Sequence, residues 1–579
     1  MEDPRHFGEL LGRAWRLGAK HGFAAAAARV SVRLGDRRAP APGSYETWLN
    51  REPRGLRSAQ RTLISVLVPV HDPDPEHLDA LVTQLRAQTH TRWEALLVDD
   101  GSRRPAVARR LAQLAATEAR VRTWRRPSAG GISKATNEAA ARARGDVIVL
   151  LDHDDLPGTD LLAHLDAAFA DDRTDLVYTD EDQLTPWGAR TEPRFKPGCS
   201  AWLALGFNYV THPMALRRSF FRELGGLRSS FDGSQDHDLL LRALERARRV
   251  RHLPVIGYHW RRTPRSVASS STAKPWAFEA GRRAVDAAAR RRGLPLERVE
   301  AGAVPGVNRL VLRAPPRAHA VHVVLHGPSE GLDDWERVLQ RVRPRWQVLG
   351  VHRNRWPSAS TRGPLLLLDA SLQASSLSLD VLARWAGLPG VGAVGGSGGT
   401  RRRRHLGWSL ERSGVASPVC PGLRGPALGP SLLAAAPREV AALANGVLWL
   451  AGLPTRLRDD FAGRPVDTSS VLLASAAAAL AGRACLFHPE LSPAERAGRT
   501  WQEKRVHLHG APGADWLLRG LPEEFWAGDA DRYCPRHELL VPLGMPAPGE
   551  PHAKATPRAS LARGLQASAL SASSSNSTV

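Results

Sequence analysis

The stretch Asp146–Asp155, DVIVLLDHDD, carries an apolar run into three carboxylates, Asp152, Asp154 and Asp155. An apolar segment of that length between charges predicts a strand buried within a parallel sheet. In open α/β sheets a ligand sits beyond the carboxyl ends of the strands. Acids crowded at that point repel one another unless a cation or polar ligand occupies the site, although acids also cap strand ends as a plain solvated loop.

Upstream, ISVLVPV (Ile64–Val70) reads as a strand, and Glu76–Gln88 has helical spacing. TRWEALLVDD (Thr91–Asp100) is a second strand that ends in acids. Pro105–Thr117 reads as a helix and Val121–Trp124 as a short strand; Ile132–Ala143 is a helix opened by Gly130-Gly131. This alternation predicts a mostly parallel sheet covered by helices. Asp99-Asp100 and Asp152-x-Asp154 then share one sheet edge.

Downstream, a second unit begins near Ala318 and echoes the first. VHVVLHG (Val321–Gly327) parallels the strand at Ile64, RWQVLGV (Arg345–Val351) matches RWEALLV (Arg92–Val98) without a gap, and LLLLDAS (Leu365–Ser371) matches IVLLDHD (Ile148–Asp154). His352 and Arg353 stand where Asp99 and Asp100 stand, and only Asp369 keeps an acid of the second group. The pattern reads as an internal duplication with its chemistry removed, or as two similar α/β strands set by coincidence.

A chain of 579 residues is too long for one core and implies about three or four domain-sized units. The expected divisions are a helical extension and linker over 1–60, an α/β domain over 61–300, a degenerate α/β repeat over 315–545 and a disordered tail over 546–579. The tail ends in SALSASSSNSTV, too polar to bury a core. Within the extension, residues 8–33 read as a basic amphipathic helix, suited to an anionic bilayer or to packing on the next domain, and RRAPAPGS (Arg37–Ser44) reads as a linker. The formal charge of +22 favours polyanionic partners: nucleic acid, anionic lipid or phosphorylated small molecules. No nucleic-acid recognition motif accompanies it, and the basic run Arg401–Arg404 stands without interleaved aromatics. Cys199, Cys420, Cys485 and Cys534 lie far apart, which argues against a disulfide framework or structural zinc and fits a reducing cytoplasm. No secretory core or membrane-length apolar run is read, so a soluble or peripheral protein is expected.

The acids suit a substrate whose leaving group is a diphosphate. Asp152 and Asp154, on acid-x-acid spacing, can hold Mg²⁺ or Mn²⁺ and leave other positions to phosphate oxygens and water. Asp99 or Asp100 can accept from a base N–H or a ribose hydroxyl. Gly130-Gly131 leaves backbone N–H groups for an anion. GSQDHDLLLR (Gly233–Arg242) sets Asp236 just ahead of a helix, placed to deprotonate a hydroxyl, while Asp238 is read equally as a cap. His259, Arg261 and Arg262 in YHWRR are candidates to pair with phosphate.

In order, VLVPV, VDDGS (Val98–Ser102), GGISKATNEA (Gly130–Ala139), LLDHDD (Leu150–Asp155), YTDEDQ (Tyr178–Gln183), FKPG (Phe195–Gly198), GGLRSSFDGSQDHDL (Gly225–Leu239), YHWR and AKPWAFEAGRRAV (Ala273–Val285) resemble glycosyltransferase family 2, whose members have the GT-A fold. The likeness covers about residues 60–293 and is strongest to bacterial enzymes that build O-antigen, rhamnan and similar surface polysaccharides; YETWL (Tyr45–Leu49) also recurs there. The resemblance implies a metal-dependent inverting glycosyltransferase acting from a nucleotide-diphosphate sugar on a glycan or lipid-linked acceptor. It implies that Asp99 and Asp100 contact the nucleoside, that Asp152 and Asp154 serve ribose, metal and diphosphate, and that Asp236 is the general base. It places Asp180 at a sugar site, His259 and Arg261 near the diphosphate, and Pro69, Gly131 and Lys134 among the donor contacts. Lys134-Ala-Thr departs from the small residues or Arg common there. The second unit resembles the same superfamily in degraded form, fit for a scaffold or acceptor platform. The alternative reading is a catalytically retired sugar-nucleotide or glycan-binding protein.

Overall fold

A computed structural model describes residue 49 and residues 55–521, apart from 186–187, 262–274, 303–304, 343–344, 397–398, 401–402, 405–407, 411–414, 419–436, 445 and 492–505. The expected helix over 8–33, the linker at 37–44 and the tail from 546 lie outside the described residues.

The first half builds β1 (Ile64–Val70), α1 (Pro75–Arg86), β2 (Trp93–Asp99), α2 (Pro105–Thr117), β3 (Val121–Arg125), α3 (Ile132–Arg142) and β4 (Val147–Leu150). It continues through β5 (Leu156–Pro157), α4 (Leu161–Phe169), β6 (Leu176–Leu184), β7 (Arg190–Arg194), α5 (Ala201–Gly206), β8 (Met214–Arg217), α6 (Arg218–Glu223), α7 (Gln235–Arg246), β9 (Val250–Arg261) and α8 (Pro275–Arg291). The sheet runs β3-β2-β1-β4-β8-β6-β9-β5, with β7 on β6. β3, β2, β1 and β4 are parallel, β8 is antiparallel to both neighbours, and β6 and β9 are parallel again.

Both faces of β1 and β2 are buried because helices cover each. On one face Val66, Val68, Ala95 and Leu97 pack under Leu78, Leu81 and Val82 of α1 and Val107 and Leu111 of α2. On the other, Leu67, Leu96 and Val98 meet Ala135 and Ala139, whose short side chains let α3 lie close. α1 begins where Asp74 accepts from the Glu76 N–H and Pro75 takes the first helical position, so it starts one residue ahead of the expected Glu76 and stops at Arg86.

After a hairpin, β10 (Leu296–Ala301) and β11 (Asn308–Leu312), a second sheet is built from β12 (His319–His326), β13 (Trp346–Arg353), β14 (Leu365–Asp369), β15 (Val391–Gly395), β16 (Arg438–Glu439), β17 (Val447–Leu450) and β18 (Ala484–Phe487). Its order is β13-β12-β14-β17-β15-β18-β16. The first six strands repeat β2-β1-β4-β8-β6-β9 in both permutation and direction. The register agrees between β12 and β14, where His322 pairs with Leu365 as Ser65 pairs with Ile148, but not between β12 and β13, where a bulge shifts the pairing. The counterparts of α2, β3 and α3 are missing, since the chain passes from Arg353 to Leu365 without a helix or strand between. β13 is therefore left as a sheet edge, with Leu349 and Val351 exposed.

The two sheets are joined by a seam of aromatic and polar contacts. Trp202 of α5 lies 5.6 Å from Trp385, which in turn packs edge-on to His488 at 4.6 Å. Ser200 donates to the buried Glu439 carboxylate, and Arg309 pairs with Glu490 at 2.6 Å. Burial drives the His488 pKa down to about 4; the Glu490 charge resists this, and the Arg309 charge reinforces it. A neutral buried imidazole stabilises the fold fully above the unfolded value near 6.5. As pH falls through that value the unfolded chain takes a proton the folded chain refuses. Stability should therefore drop by about 3 kcal/mol between roughly pH 6.5 and 4 through this group. Denaturant unfolding across that range, compared with His488→Gln, measures it; the variant should lose part of the acid slope.

Candidate active site

β1, β2 and β4 end side by side, so the carboxylates that follow them meet at one rim: Val70 pairs with Asp99, and Leu67 with Leu150. Asp99 is wholly buried. One oxygen accepts from the Ser102 N–H at 2.8 Å; Oδ2 is buried without a hydrogen bond, with Arg125 Nε at 3.6 Å. Asp100 turns the other way. It accepts from the Gly130 N–H at 2.9 Å and the Gly131 N–H at 2.8 Å, and pairs with Arg126 at 2.8 Å. The two amides expected to stand open to an anion are thus already engaged by a carboxylate. Gly131 holds φ at 94°, and a Cβ there would run into the Asp232 carboxylate, which also accepts from Ser133.

The loop after β4 is held from several sides. The Pro69 carbonyl accepts from His153 Nδ1 at 3.2 Å. Tyr258 donates to Asp155 at 2.6 Å, and Asp155 also accepts from the Arg261 N–H at 2.7 Å. Arg261 Nε donates to the Asp154 carbonyl at 2.8 Å. Burial, and then the Asp152 and Asp154 charges, push the Asp155 pKa well above the carboxylate range. Among the described residues, no hydrogen bond is made to the Asp154 carboxylate.

Asp152 has a partner that the sequence did not suggest. His212 Nε2 lies 3.3 Å from its Oδ2, and the imidazole stacks on Tyr258 with centroids 4.9 Å apart. The far ring nitrogen of His212 is 3.7 Å from Glu181, which also meets Lys196 at 3.0 Å and Arg194 at 3.1 Å. Burial opposes charge on all of these groups, yet Asp152 and Glu181 hold the His212 pKa well above its usual value. Against the same burial, Lys196 and His212 hold Glu181 well below its own. Lys196 is almost fully buried, its Nζ also donating to the carbonyls of Val210 and His212.

Asp180, expected at a sugar site, is instead fully buried, accepting from the Lys196 N–H and from His252 Nε2, each at 2.8 Å. Neighbouring strand residues point to opposite faces, so Glu181 lies beside His212 while Asp180 faces His252, and β9 carries extra residues opposite this point. His259 pairs with Asp182 at 2.6 Å, and Asp182 with Arg190 at 2.6 Å. Lys134 is exposed on the first turn of α3.

Asp236 sits half-buried at the start of α7, its Oδ2 accepting from Asn208 Nδ2 at 2.7 Å. Asp238 is no cap: it is buried between Arg228 and Arg242 and fixes the helix to the preceding loop. Asn208 Oδ1 accepts from the Thr211 N–H at 3.2 Å, and the Thr211 hydroxyl donates to Glu181 at 2.9 Å. Polar contacts therefore run from Asp152 through His212, Glu181, Thr211 and Asn208 to Asp236. Glu181, Lys196, His212 and Asn208 were missed as site residues. The available signal was a run of acids at 180–182 followed by a lysine in an apolar frame.

In the second sheet the equivalent corner is self-contained. Asp369 holds the place of Asp152, and Ser371 that of Asp154. Asp369 Oδ1 accepts from the Ser371 N–H at 2.8 Å and from the Ser371 hydroxyl at 2.7 Å. A serine donor has replaced the second carboxylate, and the repulsion is gone.

Residues 65–225 match the family model for glycosyl transferase family 2. A Sinorhizobium fredii protein, y4gI, is 43% identical over 234 residues, covering 39% of this chain and 25% of that protein. The O-antigen biosynthesis protein RfbC of Myxococcus xanthus is 33% identical over 359 residues, covering 60% of this chain and 28% of its own length. The chain thus spans only about a quarter of each of these two relatives. Among solved structures, S. aureus TarS 1–349 aligns at a TM-score of 0.32 and 16% identity, covering 39% of this chain and 64% of that one. The Pyrobaculum calidifontis mannosyltransferase PcManGT, solved with GDP-Man and Mn²⁺, aligns at a TM-score of 0.31 and 17% identity, covering 47% and 84%. With its mixed, mostly parallel sheet between helical layers, the first half of the chain carries a glycosyl transferase family 2 domain.

Proposed function

We propose that the chain is an inverting glycosyltransferase, moving a sugar from a nucleotide-diphosphate donor to a hydroxyl of a glycan or lipid-linked acceptor in bacterial surface-polysaccharide synthesis. The observation that carries this reading is the polar path from the Asp152–Asp154 loop to Asp236 along one sheet edge. Likeness to a protein named for O-antigen biosynthesis supports the surface-glycan setting. Such an acceptor would bring the chain to the inner face of the plasma membrane. No helix among the described residues is long and apolar enough to cross one.

The buried Asp99 Oδ2 accepts no hydrogen bond among the described residues and has only the Arg125 charge 3.6 Å away, so it suits a donor N–H or hydroxyl from the nucleoside. Asp152 and Asp154 offer hard oxygen ligands, and among the described residues the Asp154 carboxylate makes no competing hydrogen bond, so the pair fits a divalent ion. Among the described residues, no three His, Cys, Asp or Glu converge on one point, which leaves the other coordination positions to phosphate and water. Bound there, Mg²⁺ or Mn²⁺ would neutralise charge on the departing diphosphate. Asp236 takes the acceptor hydroxyl proton while that oxygen attacks the anomeric carbon and the diphosphate leaves with the bonding pair. We propose the second half as a duplicated domain that has lost the counterparts of α2, β3 and α3 and all of the rim acids but Asp369, serving as a platform for the acceptor or for assembly.

Transfer assays with UDP-, GDP- and dTDP-sugars and Mn²⁺ test the reading. Turnover supports it; nucleotide binding without turnover on every donor points to a retired sugar-nucleotide-binding protein. Asp236→Asn should leave nucleotide affinity intact and lower kcat by about 10²–10⁴-fold; normal turnover would remove Asp236 as base. Asp154→Ala should abolish Mn²⁺-dependent turnover and weaken nucleoside diphosphate binding by calorimetry. Asp369→Ala should leave kcat within about twofold, since its carboxylate serves only its own turn. Lost activity in a folded variant would contradict the platform role.

A further inference from the structure

The segment Asn208–Pro213, NYVTHP, touches both ends of the site. Its first residue donates to Asp236 at 2.7 Å, and its fifth, His212, lies 3.3 Å from Asp152. Thr211 between them is held at φ 42°, a left-handed conformation that β-branched residues rarely adopt. Such strain persists where the surroundings over-determine it. Here the Thr211 N–H is committed to Asn208 Oδ1 at 3.2 Å and its hydroxyl to Glu181 at 2.9 Å. The first bond also fixes the Asn208 amide: its oxygen must face Thr211, so its NH₂ must face Asp236.

We infer that Asn208 and Thr211 are positioning residues, and that this arch couples the aim of Asp236 to the donor-side corner around Asp152 and Glu181. The inference rests on Asp236 acting as base. With Oδ2 held by Asn208, Oδ1 is left to receive the acceptor proton. Glu181, braced by Lys196 and Arg194, is the fixed post from which the arch hangs. Substrate contact is not required of either positioning residue; they act through Asp236.

Thr211→Val deletes the hydroxyl bond but keeps the side chain's shape, Thr211→Ser keeps the bond, and Asn208→Ala frees Asp236. Thr211→Val and Asn208→Ala should each lower kcat roughly tenfold or more, with donor KM and binding of UDP, GDP or dTDP by calorimetry within about twofold of wild type. Thr211→Ser should restore most of the rate. Parallel losses of kcat and nucleotide affinity, or a Thr211→Val enzyme with wild-type kcat, would overturn the coupling. A crystal structure of Asn208→Ala supplies a readout without activity: Asp236 should leave its rotamer, and an unmoved carboxylate counts against the arch. If the wild-type enzyme transfers no sugar from any donor, the functional reading fails, while the Asp236 rotamer still decides the arch.

Discussion

Carboxylates gathered at the ends of adjacent parallel strands repel one another, and the first half of this chain is organised around containing that repulsion. Asp99 ends β2 and Asp100 follows it, while Asp152, Asp154 and Asp155 follow β4, one strand away across β1. Each acid is handled differently. Asp100 is neutralised by Arg126 and two backbone N–H groups, Asp155 is driven toward its neutral form, and Asp152 leans on a protonated His212. One oxygen of Asp99 has only the more distant Arg125 charge, 3.6 Å away. Among the described residues, the acids that hold the loops are the ones with hydrogen-bond partners, while the Asp154 carboxylate and one Asp99 oxygen accept none.

The compensation reaches deep. His212 stays charged because Glu181 faces its other side, and Glu181 can be buried because Lys196 and Arg194 pair with it. Removing one member of a buried set like this leaves a charge without a partner, which typically costs about 3–5 kcal/mol. The chain thus ties the fold of β6 to the state of the acid corner, and through Thr211 and Asn208 to Asp236. Loop, strand and helix terminus behave as one electrostatic unit.

The second sheet shows the same frame without that constraint. Six strands repeat in order and direction, but Asp369 faces a serine and no second carboxylate. Without β3 and α3 it also lacks the Gly-Gly turn that locks Asp100 in the first half. The frame survives because strand order is held by apolar burial, which is indifferent to the identity of rim residues. The rim carboxylates depend on a few side chains at strand ends, and in the second sheet a serine stands where the first has Asp154.

Much of the first half was legible because its signals are local. The apolar runs fixed β1, β2 and β4, helical spacing fixed α1 to α3 within a few residues, and the acids at strand ends marked the rim. The echo of those runs near Val321, Trp346 and Leu365 foretold the second sheet. Sequence spacing could not show which acids face the cleft. Asp180 and Glu181 are neighbours on β6 and point opposite ways, and only the packing of the strands shows that one is held by His252 while the other meets His212. Nor could it show that Asp100 closes the Gly-Gly turn, or that Asn208, 28 residues before Asp236, holds it. Periodicity along one chain sets which residues are apolar and where strands stop; only packing strands against one another sets the distances between charges, and at short range those distances decide what each acid can do.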